Sequence, residues 1–289
     1  MTTRTDRIHS RLTPVEPAVE RLPYWTRSTN PIVRRHLGLY WRTLPPELQP
    51  VLKIVVGWAV VLFVGALMLD VLYFALIVLI VSVIVLPVAT LVYAHILLDI
   101  AVRASDMMQE EKRNNTLNLL MATPMSLQQI LLGKVAAAMW RRMEDWTLIT
   151  YAVALAAPPL FFSMYIDIWQ SPYYPLAMPL AVMGGLVVSL LRLVLEPLMV
   201  GMIAVFIGAI VPYRNTAISL SVVLSVAYVV IMWLMNQLPI KHITVFKDGT
   251  RILPDYFLVI LVDFILPIAV PALITWGLLR LTVNLLRRD

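Results

Sequence analysis

Residues 71–98 read VLYFALIVLIVSVIVLPVATLVYAHILL, a stretch without a single Asp, Glu, Lys or Arg. A helix needs about 20 apolar residues to cross a hydrocarbon core of ~30 Å, so this stretch is long enough to span a membrane. Further runs without these charged residues occupy positions 54–69, 146–166, 168–191, 215–240 and 264–279. A transmembrane β-barrel would instead show ~10-residue segments of alternating polarity. The continuous apolar runs therefore predict an all-α integral membrane protein.

The overall composition favours the same class. Of the 289 residues, 60% are hydrophobic and only 14% are charged, whereas soluble domains carry about 25% charged residues. The net charge of +6 arises mainly in an N-terminal arm, one central segment and the C-terminal tail. Anionic lipid headgroups account for basic residues in such places, so we expect membrane lipid and no nucleic acid as a partner. The chain has no cysteine and therefore no disulfide framework.

The chain divides into three parts. Residues 1–31 form a polar, basic arm, which the positive-inside rule places in the cytoplasm. In residues 32–50, Arg34 and Arg35 lie among apolar and aromatic residues, a pattern that predicts either a short interfacial helix in the headgroup layer or a basic flank before the first span. Residues 51–289 form the transmembrane domain. Its first spans are predicted near 51–70, 73–99 and 146–166, and the short turn near Asp70 predicts that the first two are antiparallel neighbours.

The second half of the transmembrane domain leaves two topologies open. Residues 175–212 are too long for one straight helix, which would measure ~57 Å. They form either two full spans, or one span preceded by a segment that enters or lies along the outer leaflet. Six and seven spans place equal numbers of the 23 Lys and Arg residues on the cytoplasmic side, so the positive-inside rule does not decide between them.

A polar and basic segment, residues 103–142, separates the second and third spans. Within it, Asn115 is predicted to cap a short helix at 116–122, and Pro124 ends that helix. Ser126 and Gln129 have the spacing of a capping box for a second helix. Ile130, Leu131 and Val135 of this second helix are expected to lie against the ends of the spans. Apolar side chains on a rigid cytoplasmic element predict a docking site for a partner.

Residues 110–134, EEKRNNTLNLLMATPMSLQQILLGK, resemble the coupling segment of ABC transporter type-2 permeases, the membrane subunits of many prokaryotic exporters. Two positions depart from the family pattern: Asn115 stands where glycine is common, and Asn118 where glutamate is common. Residues 30–35, with Asn30, Pro31, Arg34 and Arg35, are similar to the start of the family's elbow helix. A weaker similarity covers 208–217, a cytoplasmic turn in the family. The residues that the resemblance assigns to ATPase coupling are Glu111, Lys112, Thr116, Leu117, Leu120, Thr123 and Pro124.

The resemblance implies six transmembrane helices in the prokaryotic plasma membrane, with both termini cytoplasmic and a cytoplasmic coupling helix. It also implies an exporter built from two permease subunits, as a homodimer or heterodimer, and a separate ABC ATPase subunit that holds ATP and magnesium. Gly133-Lys134 is followed by Val135 without a glycine-rich loop, so the chain has no Walker A site. The chain is therefore not expected to be an enzyme by itself.

Polar residues inside the predicted spans are few. Arg192 and Glu196 are four residues apart, a spacing that favours a mutual ion pair over a substrate site. Asp263 is either a functional intramembrane acid or a residue of the outer interface. His95 and Asp99 lack a third ligand, so no metal site and no catalytic constellation is predicted. The main alternative function is a membrane-embedded accessory or assembly subunit without a transport cycle, followed by a secondary transporter. No residue indicates the substrate.

Overall fold

The computed structural model describes residues 22–27, 30–37, 48–65, 72–116, 119–120, 122–169, 176–237, 246–247, 250–251 and 260–287. The helices of these ranges are α1 Pro31–Leu37, α2 Leu48–Gly65, α3 Leu72–Arg113, α4 Leu127–Trp140, α5 Met143–Trp169, α6 Ala177–Ile210, α7 Arg214–Gln237 and α8 Leu266–Leu286. A 3-10 turn at Tyr24–Thr26 precedes α1, and a π-helical turn at Leu261–Ile265 leads into α8. Two short antiparallel strands, β1 Phe246–Lys247 and β2 Thr250–Arg251, lie between α7 and α8.

The helical architecture confirms the predicted class of helical membrane protein. Five helices of the described ranges are long and apolar enough to cross a membrane: Ile77–Arg113, Met143–Tyr165, Ala177–Ile210, Arg214–Ile231 and Leu261–Leu286. A shorter apolar helix covers Gln49–Gly65. Aliphatic side chains remain exposed along these helices, as at Ile80 and Leu91, because hydrocarbon rather than water is their solvent.

Helix α6 is the centre of the bundle. It packs against α3, α5, α7 and α8 and also against α4. Both topologies that we expected for 175–212 are wrong, because residues 177–210 form one continuous helix. At 1.5 Å per residue it is about 50 Å long. The helix continues through Arg192 and Glu196 because these two residues pair with each other one turn apart, and its last turn is capped by side chains from the end of α3.

Helix α3 is also longer than predicted. The polar segment was expected to begin at Arg103, but residues 103–113 continue α3 as helix. They contain no proline or glycine, and Arg103 pairs with Asp99 one turn earlier at 2.6 Å. Local helix propensity and this ion pair stabilise the helical conformation of residues 103–113, beyond the end of the apolar run.

The first span does not have the neighbour that the short turn predicted. Helix α2 packs mainly against α5 and α6 and has little contact with α3. Helix α1, in the segment predicted as an interfacial helix, packs against α4. Residues 1–21 of the basic arm and 38–47 of the elbow segment lie outside the described residues.

Helices α4 and α6 approach each other closely at Gly201. A Cβ at Gly201 would lie 2.4 Å from Cγ1 of Val135, whose side chain is fully buried. We expect Gly201→Ala to destabilise the protein by about 1–3 kcal/mol, because the stiff valine cannot move aside in a packed interior. The measurement is the thermal unfolding midpoint of the purified protein in detergent.

The matched control for this variant is Gly57→Ala. A Cβ at Gly57 has no heavy atom within 4 Å, so the midpoint should stay unchanged or rise slightly through better helix propensity. Repeating Gly201→Ala in a Val135→Ala background should reduce its cost. An equal cost in both backgrounds would show that this contact does not limit the approach of the helices.

Candidate functional site

Asn115 terminates helix α3. Its φ of 52° lies in the left-handed region, and the backbone N–H groups of Asn115 and Thr116 donate to the carbonyls of Lys112 and Glu111 at 3.2 and 3.1 Å. These two bonds form a Schellman motif that ends α3. The prediction that Asn115 caps a following helix is therefore wrong. An N-cap residue needs an extended backbone, whereas asparagine here replaces the glycine usual at a left-handed C-terminal position.

Glu111 is the centre of a buried charged cluster. Its Oε1 lies 3.5 Å from Nη1 of Arg35, 3.6 Å from Nε2 of His36 and 3.5 Å from Nζ of Lys134. Its Oε2 accepts a hydrogen bond from the Thr116 hydroxyl. The Glu111 and Lys134 side chains are both buried. The cluster therefore joins the elbow helix α1, the end of α3 and the middle of α4 through one carboxylate.

The surroundings of Glu111 decide which of its neighbours are charged. Burial, with Lys134 nearby, lowers the pKa of the His36 imidazole from 6.5 to about 4. Burial also lowers the pKa of Lys134 from 10.5 to about 8, although the Glu111 carboxylate opposes this shift. At neutral pH, Lys134 and Arg35 are thus the cations that face Glu111, and His36 is neutral.

A second set of contacts caps the end of α6. The Gln109 amide donates to the carbonyls of Gly208 and Val211 at 2.8 and 2.6 Å, and Nζ of Lys112 donates to the Ala209 carbonyl at 2.8 Å. These carbonyls belong to the last turn of a helix, which has no intrahelical donors for them. Lys112, predicted as a coupling residue, therefore ties the ends of α3 and α6 together.

The predicted ATPase-coupling residues divide into an inner and an outer group. Glu111 is buried, and Thr116 bonds to it. Thr123 and Pro124 are exposed, while Leu120 is half-buried and neighbouring Leu119 is 70% exposed. Leu117 lies outside the described residues. We call residues 119–120 and 122–126 the outer turn, because most of them are exposed and they belong to the connection between α3 and α4.

The outer turn leads into α4 as predicted. The Ser126 hydroxyl accepts from the Gln129 N–H at 3.3 Å, and the Gln129 side chain accepts from the Ser126 N–H at 3.1 Å. This reciprocal pair confirms the capping box. Ile130, Leu131 and Val135 are buried against the bundle, also as predicted.

The elbow residues Asn30 and Pro31 begin α1. The Asn30 side chain accepts from the Ile32 N–H at 2.9 Å, which is the bond of a helix N-cap, and Pro31 occupies the first helical position. Helix α1 lies on α4 at Gly133, where a Cβ would be 3.4 Å from Cγ2 of Ile32. Helices α1 and α4 are therefore packed together, and the ion pair of Arg35 with Glu111 joins α1 to the end of α3.

Inside the bundle, Arg192 and Glu196 form the predicted ion pair, with Nη2 2.7 Å from Oε1. The buried Glu196 carboxylate also accepts hydrogen bonds from the hydroxyls of Tyr93 and Tyr228, each at 2.9 Å. The cluster links α3, α6 and α7. An intramembrane carboxylate needs such partners, because leaving it unpaired in hydrocarbon is costly.

Asp263 lies in the π-helical turn before α8, where the Tyr165 hydroxyl donates to its Oδ2 at 3.2 Å. Asp99 pairs with Arg103 and Arg142 rather than with His95. No group of three His, Cys, Asp or Glu residues that could hold a metal ion occurs in the part of the chain that the structure describes.

Among the residues of these clusters that were not predicted as site residues are Lys134, Gln109, His36, Tyr93 and Tyr228. Lys134 belongs to the segment that resembles the permease family, and a lysine beside Gly133 in an otherwise apolar helix was a usable signal. The two tyrosines have no such signal, since they lie within ordinary apolar runs. Comparison of the chain with protein-family models, with curated proteins and with solved structures finds no match.

The neutral His36 makes stability depend on pH. Between pH 6.5 and 4 the unfolded chain binds a proton at this histidine and the folded chain does not, so the free energy of unfolding falls as the pH falls. We expect a loss of about 2 kcal/mol between pH 7 and 5 from this residue. His36→Gln should remove that part of the dependence, measured as the thermal midpoint against pH.

The matched control for this experiment is His95→Gln, because His95 is exposed and is not among the groups around Glu111. Its midpoint should follow the wild-type pH dependence. If His36→Gln keeps the wild-type slope, the buried neutral histidine is not the origin of the acid sensitivity.

Proposed function

We propose that the chain is the permease subunit of an ATP-driven ABC exporter, with six transmembrane helices, an N-terminal elbow helix and a cytoplasmic coupling segment. The observation that carries the proposal is the arrangement around Glu111. Residues singled out by their resemblance to the permease family, Glu111, Thr116 and Arg35, meet in one buried cluster. The outer turn, from the same segment, is exposed beyond it.

The sixth span of the proposal is α2. Its apolar part, Gln49–Gly65, measures about 25 Å at 1.5 Å per residue, and the charge-free run of the sequence continues to residue 69. Contact between α8 and α4 puts part of the last helix on the same side of the bundle as the elbow helix. An even number of spans, with both termini in the cytoplasm of a prokaryotic cell, accounts for this contact.

The outer turn is proposed as the dock for a separate ATPase subunit. Leu119 is an apolar side chain at the tip of a capped, helix-flanked connection, which suits insertion into a groove of a partner. ATP binding and hydrolysis occur on that partner, and its closure displaces the outer turn. The displacement reaches the spans because the Glu111 cluster ties this connection to α1, α3 and α4. Such coupling requires two discrete packings that the ATPase state biases differently.

The substrate path lies in the assembly of two permease subunits, as a homodimer or heterodimer. Arg192, Glu196 and Asp263 belong to the interior of one subunit, where each has a partner within the chain. We propose that these three residues stabilise the packing of the helices and do not bind substrate.

Leu119→Asp tests the dock. A carboxylate at the tip of the outer turn should weaken association with the ATPase by about tenfold or more, because burying an unpaired charge is costly. Membrane insertion should be normal, since Leu119 is exposed. The measurement is the amount of ATPase that co-purifies with the tagged chain from native membranes.

The matched control is Asn284→Asp, which adds the same charge at an exposed position of α8. It should leave association unchanged. A native complex without any ATPase would refute the exporter and favour an accessory or assembly subunit. Equal association of both variants would show instead that the outer turn is not the dock.

A further inference from the structure

A cavity of about 320 Å³ lies between the N-terminal segment, α4, α5 and α6. Its walls are almost entirely apolar, and three of the chain's tryptophans contribute to them. The lining includes Trp25, Trp140, Met143, Trp146, Val194 and Leu198. A cavity without polar partners does not hold ordered water, so an apolar group is the fitting occupant.

The cavity continues into the outer surface of α6. Val194 lines the cavity and is also 49% exposed. One and two turns earlier on the same face, Leu191 and Val187 are 44% and 47% exposed. These residues form an aliphatic stripe on a helix long and apolar enough to cross a membrane. The hydrocarbon of the bilayer thus has a continuous apolar path from the stripe into the cavity.

The depth of the cavity fits the boundary between hydrocarbon and headgroups. Met143 of its wall follows Arg142, which pairs with Asp99 and Asp145 at 2.9 and 3.0 Å. Charged groups such as these are solvated at the level of the lipid headgroups, and tryptophan is enriched at the same level. An acyl chain entering along α6 would therefore have its polar end near this network.

A cation is bonded to the wall of the cavity. The Arg27 Nε donates to the carbonyl of Leu22 at 2.7 Å, and Leu22 lines the cavity. The Thr26 carbonyl accepts from the Trp140 indole N–H at 2.6 Å, which holds the N-terminal segment over α4. A guanidinium beside an apolar cavity is suited to a phosphate whose hydrocarbon chain is buried next to it.

We propose that this cavity binds one acyl chain of a phospholipid, with the phosphate at Arg27. The chain enters along the stripe of α6 and packs against the tryptophans. Inside a bilayer the driving force is packing rather than removal from water, because an empty cavity forfeits dispersion contacts that an acyl chain supplies. The guanidinium then favours anionic phospholipid over zwitterionic phospholipid. This site does not depend on the proposed exporter function.

The test is the phospholipid retained by the full-length protein after extensive washing in detergent, measured by mass spectrometry. The wild type should retain about one phospholipid per chain. Val194→Trp should lower retention by about tenfold, because the indole fills the mouth of the cavity. The matched control, Val223→Trp, makes the same change at an exposed position of α7, outside both the cavity and the stripe, and should retain lipid like the wild type. Equal retention by the two variants overturns the proposal.

Two further measurements make the outcome decisive. In nanodiscs of mixed phosphatidylglycerol and phosphatidylcholine, Arg27→Gln should abolish the preference for the anionic lipid among retained molecules; an unchanged preference removes Arg27 from the site. Since the chain has no cysteine, Val194→Cys introduces a single thiol. Oxidative cross-linking of two copies through this thiol in membranes would show that a second copy covers the cavity and would overturn the lipid assignment.

Discussion

A carboxylate that is removed from water must find its compensation in the protein, and at Glu111 three separate segments supply it. Arg35 comes from the elbow, Lys134 from α4 and Thr116 from the turn that ends α3. Withdrawing a partner from a buried charge typically costs about 3–5 kcal/mol. Helix α1, the end of α3 and helix α4 are therefore joined through the Glu111 carboxylate, and we expect a displacement of one of them to displace the others. The packing of α1 on α4 and the capping of α6 by α3 extend this body to the centre of the bundle.

The same rule explains which features the sequence predicts. Hydrocarbon excludes unpaired charge, so runs without charged residues mark the spans near 73–99 and 146–166. Where a helix extends beyond the hydrocarbon, the absence or presence of charged residues does not show where the helix ends. The extension of α3 to Arg113 depends on local helix propensity, and α6 stays unbroken at Arg192 because this charge is paired with Glu196 of the same helix. Both were therefore predicted incorrectly.

Side-chain pairs could be predicted from the sequence where both partners lie within one turn of the same helix. The Ser126–Gln129 capping box and the Arg192–Glu196 pair have fixed spacings, whereas Tyr93 and Tyr228 reach Glu196 from other helices. Their contribution depends on how α3 and α7 are rotated against α6, which a single sequence does not contain. The pairing of Glu111 with Lys134 depends in the same way on how α3 and α4 pack against each other. Asn115 shows a different difficulty, because asparagine suits both the start and the end of a helix and only the backbone angle decides.

The continuity of α3 has a mechanical consequence. The helix runs from Leu72 to Arg113, and Tyr93, which bonds to Glu196 of the central helix, lies near its midpoint. With about 30 Å of helix on either side of Tyr93, α3 is joined to α6 at two places, at Tyr93 and again near its end through Gln109 and Lys112. A rod that is fixed to its neighbour at two points cannot pivot about either of them. A push at the Arg113 end would therefore move α3 and α6 together as one strut, rather than tilt one helix against the other.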